Sequence, residues 1–492
     1  MEKLRSLKPN ILFHLLLNAV VVIFITGASY YHTPLEGLKD KLIYFLHLLA
    51  LQSIVAGILY FLSLQKWLFR IGFSILFLLF CSFSFWAYSQ DVSVTPGLIQ
   101  AILETQPDIV MDVITLPYAL FMAAAALVLV FLLKRYKSIQ PRRGFLGFLI
   151  PALLCLAFFF FIENIRPGSV KNRLPYNIVA GVSTYFSTPN LKLRTDFLEV
   201  KRSQDAIKVV FVLGETVRAD HLGLNGYHRA TTPLLAAEKN LISFKYLYTS
   251  NTYTATSVPQ ILTDRNLFEE KESYTSVYSI ANKAEVATTW IGNQTLEKSF
   301  SPIVETNDNI ILVDAFKSEF SFRKALDEAL LAPLDSILRK QSEQLITLHM
   351  IGSHWWYENR YSDSFRKYTP VIDSKYVPSQ SKEQMINSYD NTIHYLDFFL
   401  DSVIERLKEE KTPSVMVYVS DHGELLGEDG KWLHAQPGEA LENPAFLVWF
   451  SDEYTKKYPE HVSEIQSKGA SQVTTDMVYP LLLKLLSIDY VN

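Results

Sequence analysis

Cysteine is almost missing from this chain: 492 residues contain two, Cys81 and Cys155, and both lie inside long apolar runs. Everything after residue 164 has none. Neither a disulfide framework nor a cysteine-held metal can organise that part, so it must fold on an ordinary core. An excess of one charge is missing as well. The 46 basic residues are set against 50 acidic ones with no long basic stripe, which argues against nucleic acid as a partner. Internal repeats and low-complexity tracts are also lacking. The apolar runs hold few ionisable residues, which speaks against a transport path through them.

What the chain has in abundance is apolar surface: 49% of residues are hydrophobic and 13% aromatic, too much for an ordinary soluble enzyme. Nearly all the long apolar runs precede residue 164. They predict five membrane spans, Asn10 to Tyr31, Leu42 to Leu64, Trp67 to Ser89, Thr115 to Leu133 and Phe145 to Ile162. Each is about 20 residues long, enough to cross a hydrocarbon layer about 30 Å thick. A cleavable signal peptide fits the first run less well, because the run is long, lacks a small-residue cleavage site and is followed by further spans. Basic residues set the orientation. Lys3, Arg5, Lys8, Lys66, Lys134, Arg135, Lys137, Arg142 and Arg143 mark one side, while the segment between spans three and four carries only Asp91, Glu104, Asp108 and Asp112. By the positive-inside rule the N-terminus is cytoplasmic, and an odd number of spans puts everything after Ile162 outside.

The chain therefore divides into a transmembrane anchor (1–163), an interfacial connector (164–205) and an exported domain (206–492). The connector mixes Pro167, Gly168 and Pro175 with an amphipathic stretch, Asn177 to Phe186, suited to a membrane interface. From residue 206 short β-branched runs alternate with helical stretches, the pattern of an α/β domain around a mostly parallel sheet. Ile207 to Gly214 delivers Glu215, Val286 to Ile291 delivers Asn293, Gln344 to Ile351 delivers His354, and Ser414 to Ser420 delivers Asp421 and His422. Open α/β sheets bind ligands beyond the carboxyl ends of their strands. The repetition of polar and metal-capable residues at that place predicts one shared site.

Asp421 and His422 offer a hard oxygen and an imidazole nitrogen, a pair zinc accepts well. Neighbours on a strand point apart, so both reach one ion only where the chain turns, and Gly423 permits that turn at little cost. A solvated strand-end turn is the plainer alternative. Glu215 is either a third oxygen ligand or a carboxylate stabilised at a helix start. The run from Ser250 to Pro259 is rich in hydroxyls ahead of a helical stretch. Such residues often only cap a helix, yet a helix N-terminus also favours an alkoxide and a bound phosphate. A metal on the oxygen would make it a competent nucleophile at neutral pH. Composition does not choose among Thr252, Thr254, Thr256 and Ser257. His354 and His434 are candidates for protonating a leaving alcohol or holding phosphoryl oxygens, against the common alternative of ordinary strand-end histidines.

The segments VLGETVRADHLGLNGYHRATTP, TYTATSVP, NSYDNTIHYLDFFLDSVI and SDHGELLGEDGKWLH, together with the five-span anchor, resemble the phosphoethanolamine transferases. This group of the alkaline phosphatase/sulfatase superfamily includes lipid A modifiers and transferable colistin-resistance enzymes. The resemblance implies a zinc site on Glu215, Thr254, Asp421 and His422, with Thr254 as nucleophile. It implies phosphoryl contacts from His354 and His434, and donor-headgroup contacts from Thr295, Lys298 and Thr105. It implies phosphatidylethanolamine as donor, a lipopolysaccharide or other envelope glycan as acceptor (lipid A or the core), and a multi-pass bacterial inner-membrane protein with a periplasmic catalytic domain. The family's cysteine pair around the nucleophile loop is replaced by Ser250 and Gln260, so packing must hold that loop. Between spans three and four the family's Gln-Asn is Gln100-Ala101, and its acidic residue after the Thr is Ile109. The same resemblance leaves a phosphoglycerol transferase and a non-catalytic membrane scaffold as rivals. A sulfatase is disfavoured because the loop lacks a formylglycine motif.

Overall fold

The computed structural model describes residues 2–90, 94, 99, 116–137, 139, 153–154, 157–164, 168–187, 191–194, 196, 199–203, 205–269, 271–314, 324–340, 343–374, 377–434 and 438–491. They form two compact units, one mainly of residues 1–187 and the other mainly of residues 188–492.

The first unit is helical: α1 (Glu2–Val21), α2 (Leu38–Ser63), α3 (Ser74–Gln90), α4 (Leu116–Tyr136) and α5 (Tyr176–Ser187). One π-helical turn, Val22–Thr26, follows α1, and another, Leu68–Phe73, leads into α3. Among the described residues three stretches are long and apolar enough to cross a membrane, Leu38–Ser63, Leu68–Ser89 and Leu116–Tyr136, with a shorter apolar helix at Asn10–Thr26. The fifth expected span, Phe145 to Ile162, falls largely outside the described residues. Leu120, Leu127, Ile58 and Ile75 stand on the outside of the unit, while Phe69, Phe73, Phe77 and Leu132 fill its inside. Helices apolar on every face suit lipid rather than water as solvent. The few polar groups between α1 and α2 satisfy one another. Gln52 donates to Asn18 at 2.7 Å and accepts from Thr26 at 3.0 Å, as amides in an apolar setting must.

The second unit is built on seven strands, β1 (Lys208–Gly214), β2 (Leu241–Ser243), β3 (Ala287–Gly292), β4 (Asn309–Leu312), β5 (Gln344–His349), β6 (Ser414–Ser420) and β7 (Phe446–Phe450). Their order across the sheet is β2-β7-β6-β1-β5-β3-β4. The strands from β6 to β4 pair in parallel, whereas β7 is antiparallel to both its neighbours, so the sheet is mixed around one reversed strand. All seven residues of β1 and of β6 are buried. This explains their unbroken apolar character, because helices cover both faces of such a sheet. Chief among the helices are α6 (Thr254–Leu262), α7 (Val277–Lys283), α8 (Lys382–Lys408) and α9 (Val478–Leu485).

Helix α8 links β5 to β6. Ser381 and Gln384 form a capping box at its start, and Arg406 and Lys408 sit in its last turn, where the helix dipole favours cations. Met385, Tyr389, Ile393, Leu396, Leu400, Val403 and Leu407 recur at helical spacing and are buried. Beside this stripe Asp397 accepts the N–H groups of Leu234 and Leu235, and Asp390 accepts from His221, Tyr227 and Arg229. The helix thereby fixes the polar segment that follows β1. Helix α5 belongs to the first unit, while Glu199–Arg202 pairs with Ile488–Val491 in the second.

Phe211, wholly buried in the middle of β1, joins the core on one side of the sheet. Phe211→Ala is expected to destabilise the second unit by about 3–5 kcal/mol, read as a lower midpoint of its thermal unfolding.

Candidate metal centre

Register places the first two carboxylates. Strands β1 and β6 pair in parallel with Gly214 opposite Ser420, so the next residues of each, Glu215 and Asp421, leave the sheet side by side. The ladder runs one step further, since Asp421 N–H donates to the Gly214 carbonyl at 3.2 Å. Both carboxyls are buried, and His422 beside them is wholly so. Gly214 is required by contact rather than conformation: a Cβ there would come 2.4 Å from the Tyr418 hydroxyl. Gly423 is required in the same way, as its Cβ would meet the Ala440 carbonyl oxygen at 2.1 Å. The turn after His422 therefore needs glycine for space, and not for the conformational freedom expected from the sequence.

His422 Nε2 stands 3.3 Å from Glu215 Oε1 and 3.3 Å from Asp421 Oδ2. Its Nδ1 lies 2.8 Å from the Gly423 carbonyl. A carbonyl only accepts, so Nδ1 carries the proton there and the neutral ring offers Nε2 as a lone pair. Ligand atoms of Glu215, Asp421 and His422 all fall within 4.8 Å of one another. Thr254 is the first residue of α6, and its hydroxyl donates to Glu215 Oε2 at 3.0 Å. The neighbouring hydroxyls are turned elsewhere, with Thr256 and Ser257 both bonding back to the Tyr253 carbonyl. Helix α6 is anchored by buried Val258, Ile261 and Leu262 and by Gln260, whose amide donates to Asp476 at 2.7 Å. Position 260 thus ties down the loop by a hydrogen bond.

This set fits a zinc ion. Asp421 Oδ2 and His422 Nε2 are buried and lack a hydrogen-bond partner, a costly state unless something else meets them. Two carboxylate oxygens, one imidazole nitrogen and one hydroxyl make the four donors of a tetrahedral site. The electrostatics agree. Burial raises Glu215, but the His422 ring 3.3 Å away and its charge outweigh this and hold the carboxyl well below its ordinary range. Burial, and then the charge of Glu215, push Asp421 up. Burial lowers His422, yet Asp421 and Glu215 together drive it up to about 10. The cluster draws in positive charge, as a proton or as a metal.

Around this cluster lie the other expected residues. His434 packs 4.9 Å from His422 and 5.1 Å from His354, measured between ring centres. Burial, reinforced by His434, pushes His354 down to about 3, and its Nδ1 sits 2.7 Å from the Trp355 carbonyl. Thr295 is buried and Lys298 half-buried in the segment after β3, at the same end of the sheet but outside the four-residue cluster. Thr105 lies outside the described residues. Two residues of the site had no role assigned from sequence. Glu424 is fully buried, its Oε1 has no partner, and its Oε2 is 3.4 Å from His434 Nδ1. Its position in the run Asp421-His422-Gly423-Glu424 was the available signal. Thr216 bridges both carboxylates, and nothing in its neighbours' residue types announces that.

A family model described as Sulfatase matches residues 208–487, more than half of the chain, so the chain belongs to the sulfatase family. Proteins it is similar to include phosphoethanolamine transferases. It is 33% identical over 293 residues to phosphoethanolamine transferase EptA of Escherichia coli K12, covering 57% of this chain and 53% of that one. The chain thus spans about half the length of the curated relatives it matches. The crystal structure of the soluble domain of lipooligosaccharide phosphoethanolamine transferase A from Neisseria meningitidis is 30% identical, with a TM-score of 0.54, over 61% of this chain and 94% of that one. The integral membrane form of the Neisseria protein shares the fold over 97% of this chain and 95% of its own, with a TM-score of 0.56 and 24% identity.

A cation must displace the proton held by His422, and in more acidic solution the one taken up by Asp421. The apparent zinc affinity is therefore expected to rise with pH by about tenfold per unit or more between pH 6 and 8. Competition titrations at several pH values measure this; an affinity independent of pH in that window contradicts the ligand set.

Proposed function

We propose that the chain transfers phosphoethanolamine from phosphatidylethanolamine to an envelope acceptor, lipid A or the lipopolysaccharide core, through a covalent intermediate on Thr254. The observation that carries this is the 3.0 Å hydrogen bond from the Thr254 hydroxyl to Glu215, beside the unpartnered, buried Asp421 Oδ2 and His422 Nε2. Glu215, Thr254, Asp421 and His422 would hold zinc. When bound, zinc lowers the pKa of the hydroxyl and offsets charge that builds at phosphorus.

The residues of the chain do the rest. Thr254 Oγ attacks the phosphorus of the diester, a new P–O bond forms, and the bond to the diacylglycerol oxygen breaks. The hydroxyl proton leaves along the hydrogen bond toward Glu215 Oε2. His354 is neutral in its buried setting, and an anionic diester placed beside it offsets the burial. A proton taken up by His354 is then available to the departing diacylglycerol oxygen. In the second half the acceptor oxygen attacks the same phosphorus and gives up its proton to His354, the bond to Thr254 Oγ breaks, and the hydroxyl regains its proton from Glu215. The N-terminus of α6 adds donor N–H groups and positive potential where the phosphoryl group must sit. Thr295 and Lys298, past the end of β3, are the proposed contacts of the donor headgroup, with Thr105 as a further one.

The apolar helices of residues 1–187 and the asymmetric basic residues support an inner-membrane anchor with the catalytic unit on the periplasmic side. A lipid donor stays in the bilayer, so a tethered catalytic unit meets it at raised local concentration.

Thr254→Ala is expected to leave the protein inserted and folded while transfer falls to background. In the parent, mass spectrometry after exposure to phosphatidylethanolamine is expected to find phosphoethanolamine on the 250–260 segment. Full transfer by the alanine variant, or modification on another residue, would refute the assignment.

A further inference from the structure

Thr216 follows Glu215 directly, is wholly buried, and has φ of +64°. Left-handed backbone is an outlier for a β-branched residue, and glycine is the ordinary occupant of such a position. Strain of this kind persists only where surroundings enforce it, and it collects at functional sites.

The hydrogen bonds show what the conformation accomplishes. The Thr216 hydroxyl turns back to donate to Glu215 Oε1 at 2.7 Å, and its N–H donates to Asp421 Oδ1 at 3.1 Å. One residue therefore reaches one oxygen of each carboxylate, with His422 N–H also donating to Asp421 Oδ1 at 2.8 Å. Glu215 Oε2 receives the Thr254 hydroxyl, while Glu215 Oε1 and Asp421 Oδ2 each lie 3.3 Å from His422 Nε2. The turn is clamped from outside as well. The Tyr389 hydroxyl on α8 donates to the Thr216 carbonyl at 2.8 Å and accepts from Arg218 N–H at 2.9 Å. Val217 N–H donates to Ser420 Oγ at 2.7 Å, and that hydroxyl donates to the His422 carbonyl at 3.0 Å. Behind Glu215, Gly352 packs so closely that a Cβ would lie 2.7 Å from the Glu215 carbonyl oxygen.

We propose that Thr216 is a positioning residue whose hydroxyl and N–H together aim Glu215 and Asp421 at a single cation. This rests on the metal-centre reading above. Two adjacent buried carboxylates repel, and each would swing away about its side-chain torsions unless one of its oxygens were fixed; outer partners of metal ligands act in this way. If Thr216 served only to shape a tight turn, glycine would serve as well and without the backbone strain.

The test is the zinc affinity of the intact chain in detergent, measured by competition with a fluorescent chelator, alongside the thermal midpoint of the zinc-free protein. Thr216→Gly keeps the N–H, relieves the strain and loses the hydroxyl. It is expected to melt no lower than the parent and to bind zinc about 10–100-fold more weakly. Thr216→Val keeps the branched shape without the hydroxyl and is expected to weaken zinc to a similar degree. Thr216→Ser restores the hydroxyl and is expected to bind close to the parent. Parent-like zinc affinity in the Gly or Val variant overturns the proposal, as does a Ser variant as weak as Gly. A parent that binds no zinc at all fails the metal-centre reading itself, and the role of Thr216 with it.

Discussion

Two carboxyl groups forced together in a buried place are the constraint on which the rest of the second unit depends. Parallel pairing of β1 with β6 leaves Glu215 and Asp421 next to one another with almost no access to water. Like charges in that setting cannot both persist unless a positive partner stands between them. His422 supplies part of the answer as a proton carrier, and the converging lone pairs supply the rest as a cation site. Placing Thr254 at the start of α6 then brings a hydroxyl to the same spot, where it meets the positive end of a helix.

The sheet and the long helix α8 work together to hold this arrangement. Strands deliver residues to one edge, but a strand end alone leaves a side chain free to swing. The stiffness comes from behind: Tyr389 reaches the turn after β1, Asp390 and Asp397 hold the segment that continues from it, and Asp327 accepts the N–H groups of Ile351 and Gly352 just past β5. A cluster of converging polar groups needs its supporting layer as much as the groups themselves.

Much of this was legible in the chain itself. Unbroken β-branched runs mark strands buried on both faces, so β1 and β6 could be located almost to the residue, and the polar residues behind them pointed to a common edge. Three of the expected spans were equally legible from length and apolarity, while the first is a shorter apolar helix and the fifth falls mostly outside the described residues. Other features depend on contacts between distant segments and leave no local trace. The reversal of β7 is one, since its apolar run looks the same in either direction. The choice of Thr254 over Thr256 and Ser257 is another, because only the folded loop turns one hydroxyl to Glu215 and the others back to Tyr253. The need for glycine at 423 was legible while its cause was not: a carbonyl from the 440 region fills the space where a side chain would be.

The amide at position 260 carries a consequence for where and how the chain can mature. With Gln260 bonded to Asp476 and the rest of the loop held by apolar packing, the 250–260 segment reaches its final shape without any thiol being oxidised. Its assembly is insensitive to the redox poise of the compartment, and reducing agents leave it intact.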